Sequence, residues 1–182
     1  MAGSMLVSAE PHPGMRPLAS RPIAVTAGLI ALASVLGLVE AALPGIPVAP
    51  WLKFGFANIA VVVALALQGG RTAAVVSIGR VVIVGLAAGT LGSPAFTISA
   101  AGAVVSLVVM WALSGAGAVF SPVGWSAAGS AAHMATQFVV AAWLLGSWAI
   151  ISLAPLSILL ALPLGALTGQ LARSVVSRLR IV

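Results

Sequence analysis

The sequence predicts an all-α, polytopic membrane protein with six transmembrane helices. Of its 182 residues, 62% are hydrophobic and only 5% are charged. A chain of this length cannot bury so much apolar surface in one aqueous core, so lipid has to serve as its solvent. Glycine and proline interrupt the apolar sequence at intervals close to the length of a membrane span, and these interruptions set the number of helices.

The predicted helices cover residues 23–42, 51–68, 72–91, 95–113, 126–145 and 149–172. Pro155 and Pro163 fall inside the last of them, where neighbouring helices can satisfy the freed backbone groups. We therefore expect a disordered cytoplasmic leader over residues 1–22, a six-helix membrane domain over residues 23–176 and a basic cytoplasmic tail over residues 177–182.

The basic residues predict the orientation. Most of them stand singly at helix ends that an even number of spans brings to one side, namely Arg16, Arg21, Arg71, Arg173, Arg178 and Arg180. Under the positive-inside rule this side faces the cytoplasm, so we expect a multi-pass protein of the cell membrane with both termini inside. The formal charge of +6 is then an orientation signal, and we expect no nucleic-acid partner.

The composition gives catalysis little support. The chain has no aspartate and no cysteine, and its only acidic residues are Glu10 and Glu40. A pair of catalytic carboxylates, a Ser-His-Asp triad and an Asp-rich site for magnesium and a diphosphate are all excluded. A phosphate-binding P-loop is absent as well. We expect the chain itself not to be an enzyme and to hold no metal or cofactor.

The chain is organised around residues 37–58, where helix 1 ends at a proline-rich turn and helix 2 begins. Glu40 and Lys53, two of the few charged residues, flank this turn. One interpretation is a structural ion pair near the membrane surface. The other is a ligand site, because ionisable groups within spanning segments usually face a cavity, a partner or a pathway.

Four further polar residues lie within the predicted spans: Asn58, Arg80, His133 and Gln137. His133 and Gln137 are four residues apart and share one helix face. Arg80 lies roughly 12 Å along helix 3 at about 1.5 Å per residue, where the predicted membrane offers it no acidic partner. Each of these groups could simply be satisfied by a neighbouring helix or by backbone carbonyls. Their combination favours a polar cavity with a positive bias, with Arg80, His133 and Gln137 as its floor.

Small residues recur four positions apart, at Ala27 and Ala31, at Gly85 and Gly89, and at Gly165 and Gly169. Such stripes let helix backbones approach closely in lipid. Each stripe either packs inside the bundle or forms a docking face for a partner membrane protein, and the spacing does not choose between these alternatives.

The polar residues also carry a resemblance. Glu40 before the proline turn, followed by Trp-Leu-Lys-Phe-Gly-Phe-Ala-Asn-Ile at 51–59, looks like the signature of the Gx transporter family, also named heptaprenyl diphosphate synthase component I. Arg80 and the Ala-His-x-x-x-Gln pattern at 132–137 are similar to other polar positions of that family. The resemblance covers residues 23–176.

The family resembles the substrate-binding S components of energy-coupling-factor (ECF) transporters. This implies a six-helix bundle with a pocket toward the outer side, and a docking face at Ala27 and Ala31 for an ECF-type coupling subunit with separate ATPases. The substrate-binding residues would be Glu40, Lys53, Asn58, Arg80, His133 and Gln137. The protein would then bind a small polar or anionic solute. The alternative is a non-catalytic membrane subunit that assists a prenyl-diphosphate synthase in isoprenoid quinone synthesis.

Overall fold

The computed structural model describes residues 20–43 and 54–179, and within these ranges it contains α-helices but no strand. The helices are α1 (Ser20–Ala42), α2 (Phe56–Gln68), α3 (Gly70–Ala87), α4 (Pro94–Gly115), α5 (Pro122–Leu145) and α6 (Ala154–Leu179). Five helical segments are long and apolar enough to cross a membrane, whereas α2 is shorter. The all-α, polytopic fold predicted from the composition is confirmed.

The helix α2 begins later than the sequence pattern predicts. The expected start was Trp51, which lies outside the described residues, but Phe54 and Gly55 are not helical and the helix begins at Phe56. Gly55 has a φ of 75°, a left-handed conformation that glycine adopts without strain. The 13 residues of α2 span about 20 Å. This is less than the roughly 30 Å of a hydrocarbon core.

The last helix differs from its predicted form at both ends. A 3-10 helix, Trp148–Leu153, precedes α6, and Pro155 is the second residue of α6 rather than an interior one. Proline is tolerated in the first turn because its missing N–H would have no partner there. Pro163 does lie inside the helix. Because α6 continues to Leu179, it includes residues that we assigned to a separate tail.

At the other end of the chain, α1 begins at Ser20, so helix also covers the last residues of the predicted leader. Residues 1–19 lie outside the described ranges, and the disorder expected for them stays a prediction.

The short helix α2 occupies the centre of the bundle and packs against each of the other five helices. Its residues 60–65 form an unbroken buried run, which is typical of a helix surrounded by protein on all sides. Around it, α1 packs against α3, α4 packs against α3 and α5, and α5 packs against α6. The arrangement brings side chains from all six helices to one enclosed region.

The glycine stripe of α6 is used for packing inside the bundle. A Cβ built on Gly165 would lie 2.6 Å from the Ser130 hydroxyl, and one built on Gly169 would lie 2.7 Å from the Cα of Val123 on α5. The hydroxyls of Ser126 and Thr168 hydrogen-bond at 3.0 Å across the same contact. The predicted stripe in helix 3 is wrong in part, because α3 ends at Ala87 and Gly89 lies in the following turn with a φ of 66°.

Several helix ends meet at one end of the bundle. A Cβ on Gly70, at the α2–α3 turn, would lie 2.1 Å from Trp111 near the end of α4. Ala172 and Val176 of α6 join the same buried cluster as Ala73 of α3. The exposed residues Arg71, Arg173 and Arg178 are on the helix ends gathered there. The three arginines of the predicted basic side that the structure describes, Arg71, Arg173 and Arg178, therefore lie at one end of the bundle.

Candidate functional site: a polar cavity lined by six helices

A cavity of about 230 Å³ lies beside the N-terminus of α2, and every one of the six helices contributes to its wall. Its polar lining is formed by Glu40, Asn58, Arg80, Thr90, Ser99, Ser106, Ser130, His133 and Gln137. Phe54, Phe96, Met134 and Leu164 are among its apolar walls. The combination of apolar walls with a few convergent polar groups is typical of small-molecule sites.

The structure brings five of the six sequence-predicted binding residues to this cavity: Glu40, Asn58, Arg80, His133 and Gln137. They come from four helices, α1, α2, α3 and α5. The sixth, Lys53, lies outside the described residues. The helices α3 and α5 both pack against α4, and both contribute polar residues to the cavity.

Arg80 projects from α3 into this region, and its Nε is buried without a hydrogen-bond partner among the described residues. A buried donor left unpaired costs free energy comparable to a lost hydrogen bond. Such a donor is therefore a natural contact for an acceptor group on a bound molecule or for a water molecule.

The expectation that Arg80 lacks an acidic counterpart is wrong. Glu40 lines the same cavity, and its negative charge acts on the guanidinium of Arg80. The expectation placed Glu40 nearer the outer surface than Arg80, because Glu40 is close to the end of helix 1. In the structure α1 packs against both α2 and α3, and the Glu40 carboxylate accepts a hydrogen bond from the Gly55 N–H at the start of α2. Among the described lining residues the cavity thus holds one acidic side chain as well as Arg80, so the positive bias inferred from the sequence does not hold for them.

Gly102 of α4 makes room for the α5 side of the cavity. A Cβ built on Gly102 would lie 2.9 Å from Cε1 of His133 and 3.1 Å from Cγ of Gln137. The two polar side chains therefore pack directly against the backbone of α4. Asn58, on the α2 side, points its amide Nδ2 at the sulfur of Met110 at 3.7 Å.

Sequence reasoning missed the hydroxyl groups of the cavity, Thr90, Ser99, Ser106 and Ser130. Serine is common at packed helix interfaces in membranes, so the residue type gave no distinguishing signal. The position of Ser130 did carry a signal. Ser130 precedes His133 by three residues and Gln137 by seven, and these spacings place the three side chains on one helix face. Extending that face backward would have identified it.

An apolar groove of about 270 Å³ adjoins the cavity. It is lined by Phe54, Phe56, Leu164, Leu167, Thr168, Gln170 and Leu171. The rings of Phe54 and Phe56 are stacked, with centroids 5.4 Å apart and planes 9° from parallel. Phe54 and Leu164 line both the cavity and the groove, so the two spaces share a wall.

The residues predicted to dock a partner lie far from this site, on the outer face of α1. Ala27 and Ala31 are both exposed, and no described residue comes within 4 Å of a Cβ built on the intervening Gly28. Of the candidate spans, α1 is the least covered by the rest of the bundle. The alternative that this stripe packs inside the bundle therefore does not hold for the described residues.

As for metals, residues 20–43 and 54–179 contain no group of three His, Cys, Asp or Glu residues able to hold an ion.

Comparison with known proteins places the chain in a family. Neither the curated proteins nor the solved structures compared with it gave a match. A family model described as heptaprenyl diphosphate synthase component I matches residues 29–175, which is most of the sequence and includes the whole polar lining of the cavity. The chain therefore belongs to the heptaprenyl diphosphate synthase component I family.

Proposed function

We propose that the protein is the substrate-binding membrane subunit of a transporter, similar to an ECF S component, and that it binds a small polar or anionic solute in the six-helix cavity. The observation that carries this proposal is the convergence of Glu40, Asn58, Arg80, His133 and Gln137 on one cavity. Polar and ionisable side chains are costly inside a membrane and mark solute pathways when they face a common space.

The charged groups of the cavity indicate what kind of solute the cavity can bind. Arg80 offers donors, including a buried Nε with no partner among the described residues, so the solute presents an acceptor such as a carboxylate or a polar oxygen. Glu40 balances the charge of Arg80 and already accepts the Gly55 N–H. A neutral polar molecule or a singly charged anion suits this balance better than a polyanion, because Glu40 repels a high negative charge.

The partners follow from the same proposal. The exposed stripe at Ala27 and Ala31 would dock onto an ECF-type coupling subunit, which works with separate ATPases. Small residues on an exposed helix face allow another membrane helix to approach closely. We place the protein in the cell membrane with both termini in the cytoplasm, on the basis of the arginines gathered at one end of the bundle. In this role the chain binds and releases its solute and is not an enzyme.

The experiment that tests solute binding is mass spectrometry of the small molecules retained by the gently purified protein. Wild-type protein and Arg80→Ala are purified side by side from the same cells. We expect at least one polar compound that is enriched with the wild type and lost from the variant. Equal small-molecule profiles for the two proteins would contradict the proposal.

The description of the family favours a second function, in which the chain is a non-catalytic membrane subunit that assists a prenyl-diphosphate synthase. Affinity purification from membranes separates the two roles. Co-purifying ATPase subunits support the transporter role, whereas a co-purifying soluble synthase supports the second role.

A further inference from the structure

The apolar groove next to the polar cavity indicates what kind of molecule the cavity receives. The groove runs between the residues that precede and begin α2 and the middle of α6, and its lining is almost entirely apolar. Leu167 and Leu171, which line it, are 63% and 52% exposed. In a membrane protein such exposed leucines face the lipid chains, so the groove opens toward the bilayer.

The cavity and the groove are adjacent and share a wall. Phe54 and Leu164 line both spaces, and both side chains are half-buried. A molecule reaching from Arg80 and the other polar groups to the leucines at the lipid would pass between Phe54 and Leu164. Polar groups at one end and an apolar surface at the other match a molecule with a polar head and a hydrocarbon chain.

We propose that the solute is a single-chain amphiphile taken from the bilayer, with its head in the cavity and its hydrocarbon chain in the groove. This inference rests on the proposed binding function and names the chemical class of its ligand. The head accepts hydrogen bonds from Arg80, whose buried Nε lacks a partner among the described residues. The chain stays in apolar surroundings throughout, so the head can enter from the side without carrying the chain through water.

The sizes of the two spaces agree with this division. The cavity of about 230 Å³ is smaller than the roughly 300–1,000 Å³ of pockets that enclose a whole small molecule, which suits a head group but not a head with a long chain. The groove of about 270 Å³ supplies the additional room. Because this is one groove beside one cavity, it fits a single chain better than the paired chains of a phospholipid.

Photolabelling tests the proposal. The protein is reconstituted in phosphatidylcholine nanodiscs with a fatty acid that carries a photoreactive diazirine in mid-chain, and the labelled peptides are mapped by mass spectrometry. We expect labelling of the groove segment, residues 164–171, in the wild type. In Arg80→Ala it should fall about tenfold or more, because a charge-assisted hydrogen bond to the head is lost. Arg80→Gln should act likewise and keeps the result interpretable if the alanine variant folds poorly.

A matched pair of tryptophan variants examines the groove itself. Leu167→Trp fills the groove, whereas Leu159→Trp alters a leucine of the same helix that is equally exposed, at 64%, and that lines neither space. We expect Leu167→Trp to lower labelling of residues 164–171 several-fold and Leu159→Trp to leave it unchanged. Both positions are exposed to lipid, so neither substitution should impair folding.

Labelling that does not depend on Arg80 would overturn the inference, since it would show ordinary lipid contact. In that case the polar compound retained in an Arg80-dependent manner would still support the proposed solute-binding function. If nothing retained by the protein depends on Arg80, both the inference and the proposed function fail.

Discussion

The carboxylate of Glu40 on α1 accepts a hydrogen bond from the backbone N–H of Gly55, the residue that caps the N-terminus of α2. Gly55 has no side chain with which to cap this helix, so an acidic residue from a different helix supplies negative charge there. Such a charge is favourable because the first N–H groups of a helix carry a partial positive charge. Glu40 also acts on Arg80 across the cavity, and it therefore links the end of α1 both to α2 and to the polar site.

Glu40→Gln should lower the thermal stability of the protein, and Glu40→Ala should lower it further. Glutamine keeps an oxygen for the Gly55 N–H but loses the charge, which removes about 0.3–2 kcal/mol of interaction with the helix terminus. Alanine also leaves the part-buried Gly55 N–H without this acceptor, which adds up to about 1–3 kcal/mol. Thermal unfolding in one detergent gives the comparison. Identical melting temperatures for the three proteins would show that this contact does not stabilise the fold.

Arg80→Ala should abolish solute binding while changing the free energy of unfolding by less than about 1 kcal/mol. In this variant Glu40 loses the opposite charge of Arg80 but keeps its bond to Gly55, and the buried, unpaired Nε of Arg80 is removed as well. Arg80→Lys should recover binding only in part, because an ammonium lacks the planar fork of donors. Retained solute and thermal unfolding are measured on the same preparations. A loss of about 3–5 kcal/mol with either substitution would instead assign Arg80 a structural role.

Gly102→Ala should reduce solute binding by disturbing His133 and Gln137. The added Cβ would lie 2.9 Å from the His133 ring, so that ring has to move into the cavity or α4 has to shift. Gly115→Ala, in the same helix, is the matched control because no described atom lies within 4 Å of its Cβ. Unchanged solute retention in Gly102→Ala with normal stability would show that the His133 side of the cavity does not contact the solute.

Ala27→Trp combined with Ala31→Trp should separate the protein from its partner subunit without unfolding it. Both positions are exposed on α1, so a bulky side chain is accommodated in the isolated protein but blocks close approach of another helix. Val25→Trp combined with Leu32→Trp is the control, since these residues are exposed on a different face of α1. Co-purification of membrane partners is the measurement. Equal recovery of the membrane partners with both double variants would show that the face of Ala27 and Ala31 is not the docking face.

A reporter that is active only in the cytoplasm should be active when fused after Val182. The exposed Arg71, Arg173 and Arg178 lie on helix ends gathered at one end of the bundle, and positive residues are retained on the cytoplasmic side. Activity only of the complementary reporter, which works outside the cytoplasm, would reverse the proposed orientation.

The sequence was sufficient for the class of fold and for five of the nine polar residues that line the cavity. Asn58, Arg80, His133 and Gln137 were identifiable because polar groups within apolar helices are costly and therefore uncommon. The proximity of Glu40 to Arg80 was not predictable, because it depends on how α1 packs against α3, which are not consecutive in the chain. Local periodicity reports which residues share a helix face, but it does not report the depth at which a helix begins.

The start of α6 also could not be predicted from local periodicity. Pro155 and Pro163 look alike in sequence, yet one stands in the first turn of the helix and the other in its interior. The difference is fixed by the preceding 3-10 helix, Trp148–Leu153, which has no strong signal of its own. The apolar groove was also invisible to sequence reasoning, since Leu167 and Leu171 are ordinary lipid-facing residues until Phe54 and Phe56 are placed beside them.

The position of α2 has a consequence for how the chain enters the membrane and how it tolerates mutation. A 13-residue apolar helix is too short to span a bilayer alone, and here it is surrounded by the other five helices. Its stable insertion therefore depends on neighbouring helices that are synthesised before and after it. The helix is fully surrounded only after α5 and α6 have been synthesised and inserted. Most lipid-facing helices accept one apolar residue for another, but residues 60–65 have fixed protein neighbours instead of fluid lipid. Enlarging Ala60 or Ala64, both fully buried, should therefore disrupt assembly of the whole bundle, as overpacking does in the core of a water-soluble protein.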